Sequence, residues 1–164
     1  MPRCKAGAAA TRMYREFMEN RIENIAFNAP NIQVAKNVCY ELSYNETKNR
    51  IYFKICGFWK NKECVSEFLN DWDRALELTQ PGFTVLTDMR TMITHPQSLK
   101  SLHVEAQHKV KAAGVLHVAH IMSEDKIANL QIEAIADTTH LPSRNFDSLQ
   151  EAEQWLDGGI VAYP

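Results

Sequence analysis

Chemistry in this chain could come from its histidines, its cysteines and a polar stretch near its middle. Asp88, Met89, Arg90, Thr91 and His95 follow one short apolar run, and Ser123 and Glu124 follow the next. In open α/β sheets ligands bind in the crevice beyond the carboxyl ends of the strands. Asp88, Arg90, His95 and Ser123 therefore form a candidate rim for a small ligand or anion. A hydrolase or transferase would use Asp88, Arg90 and His95 together to bind and polarise such an anion. The plainer alternative has Asp88 forming a turn, Arg90 pairing with it and His95 merely preceding Pro96.

The six histidines offer no metal-ligand spacing. At about 100° per residue, His103 lies about 60° off the centre of its helix's apolar stripe and His108 nearly opposite it. His117 and His120 are three apart on a strand, which puts them on opposite faces. A zinc site needs three or four ligands meeting at one point, so no metal is expected. A G-x-S-x-G elbow and a glycine-rich phosphate loop are both missing, and the cysteines Cys4, Cys39, Cys56 and Cys64 stand far in sequence from any histidine. Neither catalytic residues nor a cofactor are expected. The cysteines form no C-x-x-C pair and read as reduced thiols, with Cys56 and Cys64 packed as small hydrophobes. Reduced thiols imply an intracellular, cytoplasmic protein.

Composition limits the partners. The chain has 164 residues with 18 Lys and Arg against 20 Asp and Glu, a net charge of −2. Neutralising phosphates requires a concentrated basic surface, so a dedicated nucleic-acid binder is excluded. No apolar run approaches the roughly 18 residues of a membrane span. With 45% hydrophobic residues the chain can build a core without disulfides or metal. Arg3, Lys5, Arg12 and Arg15 give the start a basic bias that organellar presequences share, but Gly7 to Ala10 is too short for a secretory apolar region, so this segment is read as part of the mature protein.

The elements that must position these groups follow from periodicity. Tyr14, Phe17, Met18, Ile22 and Ile25 share one face of a helix expected over residues 11–26, which Pro30 and its flanking asparagines end. Tyr40, Leu42 and Tyr44, then Ile51, Phe53 and Ile55, alternate with polar neighbours as two strands of a hairpin. Beyond Gly57, helical stripes and short apolar runs alternate. Val65, Phe68, Leu69, Trp72, Ala75 and Leu76 form one stripe, and Leu99, Leu102, Ala106, Val110 and Ala113 a second. Ile127, Leu130 and Ala134 form a third, and Ser148 caps a last helix with Glu151 in capping-box position. Strand-like runs lie at Phe83 to Leu86 and Val115 to Met122, with a possible short strand near Phe146. The order ββαβαβα(β)α predicts an α/β fold with a mixed, mostly parallel sheet and right-handed crossovers. Residues 1–38 read as a helical extension and linker, and residues 39–164 as the α/β domain.

The run Arg50-Ile51-Tyr52-Phe53-Lys54-Ile55-Cys56-Gly57-Phe58-Trp59, the helix with Phe68-Leu69-Asn70-Asp71-Trp72, the segment Pro81 to Asp88 and the ending Phe146 to Leu156 resemble the SpoIIAA-like branch of the STAS fold. The resemblance spans about residues 40–158. It implies the fold and, for true anti-sigma-factor antagonists, a serine phosphorylated at the N-terminus of the helix after the third strand. Here the matching stretch is Pro96-Gln97-Ser98-Leu99, which retains Ser98 alone of that motif. Ser98 is thus a candidate phosphosite, with an ordinary helix-start serine as the alternative.

Two surfaces point to partners. The apolar face of the N-terminal helix, with Tyr14, Phe17, Met18 and Ile22, must pack on its own domain, a second copy or another molecule. Ile132 lies outside the main stripe of the third helix and widens its apolar face, to be covered by the N-terminal helix or buried in a homodimer, the commonest oligomer. The expected function is a non-enzymatic regulatory or protein-interaction module. The alternative is a carrier of a small apolar or lipid-like ligand, as the fold's likeness to CRAL-TRIO domains implies, with Phe58, Trp59, Met89, Met92 and Ile93 lining a pocket.

Overall fold

The computed structural model describes residues 9–17 and 30–158. The chain divides into two compact units, residues 1–30 and 31–164. In the first, residues 9–17 are helical and Arg12 pairs with Glu16 one turn on. The rest of the helix expected to residue 26 lies outside the described residues.

The second unit is built on a six-stranded sheet in the order β1 to β6. Its strands are β1 (Ile32–Lys36), β2 (Tyr40–Asn45), β3 (Arg50–Gly57), β4 (Thr84–Met92), β5 (His117–Ile121) and β6 (Ser143–Phe146). β1, β2 and β3 pair antiparallel, and β3 to β6 run parallel. The helices are α1 (Phe68–Leu78), α2 (Lys100–Ala112), α3 (Lys126–Thr139) and α4 (Leu149–Leu156). This is the expected mixed sheet with one strand more. β1 falls where the sequence reads as linker, because an exposed edge strand with a bulge between Gln33 and Ala35 carries no clean alternation.

Alternation divides the sheet into two faces. Tyr40, Leu42, Ile51, Phe53, Ile55, Val85 and Val118 face a core shared with Phe68 and Trp72 of α1, Ala106 and Val110 of α2, and Ile132 and Ile135 of α3. Leu86, Ala119, Ile121 and Phe146 face the other way, onto Ala152 and Leu156 of α4. Three helices therefore cover one face and a single short helix covers the other. The β3–β4 register slips by one residue between the pairs Lys54–Asp88 and Cys56–Thr91. That bulge lets Met89 and Met92, an odd number of positions apart, both enter the first core.

Polar contacts fix the layers. The Tyr40 hydroxyl donates to Asp71 of α1, which also pairs with Arg74. On the other side the buried Arg50 guanidinium donates to Thr84 Oγ1 at 2.9 Å, pairs with Glu153 and lies 2.9 Å from Asp157. Lys48 reaches the same two carboxylates. Ser148 Oγ accepts from Glu151 N and caps α4. Leu141 N donates to Ala136 O beyond a left-handed His140, and this ends α3.

Candidate ligand-binding cavity at a histidine pair

β4 ends at Met92, and the chain passes through residues 93–96 and a 3₁₀ turn, Gln97–Leu99, into α2. This connection is held from both sides. Ile93 N donates to Gly57 O at 3.0 Å. The Gln131 amide of α3 accepts from His95 N at 3.0 Å and donates to His95 O at 2.8 Å. Asp125 Oδ2 accepts from Thr94 N at 2.8 Å and from Thr94 Oγ1 at 2.7 Å, while its Oδ1 accepts from Ile127 N and caps α3. One carboxylate thus starts a helix and anchors a loop, which holds it below the usual carboxylate range, chiefly through the Thr94 hydroxyl.

Under this loop His95 turns inward and meets His103, the fourth residue of α2. His95 Nδ1 lies 3.0 Å from His103 Nε2, and the two residues are 5% and 6% exposed. Both stack on Trp59, with centroids 4.5 Å and 5.1 Å from the indole. Trp59 Nε1 donates to Cys39 O at 2.7 Å and fixes that platform. Burial pushes His95 down to about 4 and His103 to about 3, so both are neutral at pH 7. Two neutral imidazoles supply one donor and one acceptor to the short contact. The Gly57 carbonyl opposes the shift of His95 without completing a hydrogen bond to Nε2, which has no partner among the described residues.

Against this pair, between the loop, α2 and α3, lies a cavity of about 250 Å³. Met92, Ile132 and Ile135 form its inner wall, while Ile127, Leu130 and Lys100 stand at its exposed rim. Ile127 and Leu130 are 60% and 63% exposed. Their stripe with Ala134 was expected to be the buried face of α3. Instead the helix buries Ala128, Ile132, Ile135 and Ala136, and turns the other stripe toward the cavity. Ile132 is accordingly core, 4% exposed, and not the interface residue that the sequence reading makes it. The helix carries two apolar stripes, and only packing against the sheet chooses between them.

The other expected site residues disperse. Asp88 accepts from Arg90 through both carboxylate oxygens, at 3.0 and 2.8 Å. By strand alternation Asp88 shares the face of Leu86, whereas His95 packs into the core of the opposite face. Ser123 Oγ donates to Met92 O at 2.7 Å and accepts from Asp125 N, a structural role at the end of β5. The rim set Asp88, Arg90, His95 and Ser123 therefore does not come together as one site. Ser98 is exposed in the 3₁₀ turn before α2. Tyr14 and Phe17 lie on the described helical segment, and Met18 and Ile22 fall outside the described residues. Of the expected pocket residues only Met92 lines the cavity. Trp59 is the histidine platform, Met89 is core, and Phe58 and Ile93 are exposed. Cys64 is exposed rather than packed.

His103, Gln131 and Lys100 line the cavity without being among the candidate site residues of the sequence. The signal for His103 was present, since it stands four residues after Leu99 and three before Ala106, at the edge of the stripe and within reach of the core. His120 is a third buried imidazole, pushed to about 4 by burial against the opposing effect of a hydrogen bond to Asn145. It shares a void of about 40 Å³ with His103 and Trp72, whose Nε1 has no partner among the described residues. That space is large enough for a water. Among the described residues no three His, Cys, Asp or Glu side chains are grouped to hold a metal, and no helix is long and apolar enough to cross a membrane.

No family model matches the chain, and no curated protein matches it. Among solved structures it is similar to an uncharacterised protein of the DUF3478 family from Shewanella loihica with a SpoIIAA-like fold. The TM-score is 0.53 at 14% identity, over 79% of this chain and 97% of the other. The chain thus has a SpoIIAA-like fold, and at that identity the likeness extends to the fold alone.

Proposed function

We propose that the chain is a cytoplasmic, non-enzymatic binding module that holds a small, largely apolar molecule in the cavity beside the His95–His103 pair. The observation that carries this reading is the cavity of about 250 Å³, walled by Met92, Ile132 and Ile135 at the carboxyl end of the sheet. Ligand sites are concave and mostly apolar with a few placed polar groups, and in α/β sheets they sit at this end. The loop over the cavity is already fixed by Gln131 and Asp125, so little order has to be gained on binding. Native mass spectrometry of gently purified protein, followed by amide-shift mapping with the released molecule, tests it. Co-purifying mass and shifts confined to Met92, Leu130 and Ile135 are expected. A bare chain that responds to no apolar compound removes the reading.

The regulatory interaction module expected from the sequence is the second reading. It is favoured by the exposure of Ile127 and Leu130 on one helix face, which a second copy of the chain would cover. Light scattering on the full chain and on its Leu130→Asp variant separates the two. A dimer that this variant dissociates favours the second reading, and a monomer in both leaves the cavity to a small molecule. An Asp88–Arg90–His95 hydrolase or transferase gains no support, because His95 is turned into the other core.

A further inference from the structure

We propose that the ligand is an apolar carboxylate of about ten non-hydrogen atoms, with its hydrocarbon body in the cavity and its anionic end at Lys100. This rests on the reading of the cavity as a ligand site and adds the chemistry of what it takes. Size comes first. A cavity of roughly 150 Å³ accepts benzene, so one of about 250 Å³ takes a single ring with a short arm or a chain of eight or nine carbons.

Charge comes next. No acidic residue lines the cavity, and Lys100 is the one formal charge that does. Among the described residues no carboxylate pairs with its ammonium, whereas Lys48 and Lys109 each have such a partner. Lys100 also opens α2, a helix of 13 residues whose start has no side-chain cap. The positive end of the helix dipole therefore lies beside the lysine, although the Lys100 N–H itself is taken by Gln97 O of the preceding 3₁₀ turn. On the inner side His95 lines the same cavity as a neutral ring, so Lys100 is left as the cation that an anionic ligand would meet. A cationic ligand would meet the lysine and the helix start with repulsion. A neutral one would gain nothing from either. An apolar anion gains from both while Met92, Ile135 and Leu130 take its chain.

The test uses the full chain and three probes of equal length, octanoate, 1-octanol and octylamine, titrated by calorimetry at low and moderate salt. Octanoate is expected to bind about fivefold more tightly than octanol, with added salt eroding the difference, and octylamine more weakly than either. Lys100 is exposed, so Lys100→Gln leaves the fold intact and brings octanoate down to the octanol level, while Lys100→Arg retains the preference. Ala134→Trp, at an exposed position lining the cavity, abolishes binding of both octanoate and octanol. Equal binding of octanoate and octanol, unmoved by Lys100→Gln, overturns the carboxylate assignment and leaves the cavity a ligand site. No binding of any probe, or binding that Ala134→Trp does not touch, removes the ligand site and this inference with it.

Discussion

His95 Nδ1 and His103 Nε2 meet at 3.0 Å above Trp59, with the two imidazoles within 20° of parallel. A histidine from a loop and one from a helix are thereby locked into a single neutral unit beneath the cavity. Its neutrality makes stability depend on pH. The unfolded chain titrates these rings near 6.5, the folded one near 4 for His95 and near 3 for His103. Between those values the unfolded state binds protons that the native state refuses, so stability falls as pH falls from about 6.5 toward 4. Each ring contributes up to about 1.4 kcal/mol per pH unit in that interval. His120, held near 4, adds to the same slope. Asp88 and Asp125 are depressed below ordinary carboxylates. Urea midpoints measured from pH 7 to 5 are expected to drop steadily, and His120→Gln to flatten the curve in part. A level profile would refute neutral burial.

Gln131 returns both backbone hydrogen bonds of His95. Gln131→Ala leaves that N–H and C=O without their partner, at about 1–3 kcal/mol. Faster amide exchange is expected at His95 and Thr94, with β2 and β3 unaffected. Exchange that rises uniformly over the sheet would mean that the glutamine does not act on the loop.

Arg50 is the polar anchor of the α4 layer. It is 2% exposed and joins Thr84 of β4 to Glu153 of α4 and to Asp157, the residue that follows that helix. Removing one partner of a buried ion pair typically costs about 3–5 kcal/mol, whereas an apolar replacement of similar volume restores part of it. Arg50→Ala is expected near the top of that range and Arg50→Met well below it, both read from urea unfolding. Equal, small losses would place the network among surface ion pairs of little worth.

Thiol chemistry separates the three described cysteines. Cys64 is exposed, Cys56 is half-buried and pushed up by burial, and Cys39 is buried and pushed up likewise. Thiolate, not thiol, is the nucleophile. Mass-resolved labelling with a disulfide reagent at pH 8 should modify Cys64 first and Cys39 only as the chain unfolds. Early labelling of Cys39 would contradict its place in the core.

The sequence by itself determined the strands and helices whose apolar residues repeat with a single period. Tyr40 to Tyr44 and Ile51 to Ile55 alternate and form the central hairpin, Phe68, Trp72 and Ala75 recur at helical spacing and are buried, and Ser148 caps the helix it precedes. Local pattern suffices there, because each segment has one face it can bury. Only the tertiary structure decided the rest. Edge strand β1 owes its form to pairing with β2, since its own residues carry no clear alternation. In α3 two apolar stripes compete, and contact with the sheet selected Ile132 and Ile135 for the core, leaving Ile127 and Leu130 to the cavity. The β4 bulge and the loop after Met92 turned His95 inward, away from Asp88 and Arg90. Which side chains meet across a fold depends on chain paths distant in sequence, and periodicity, being local, does not record them.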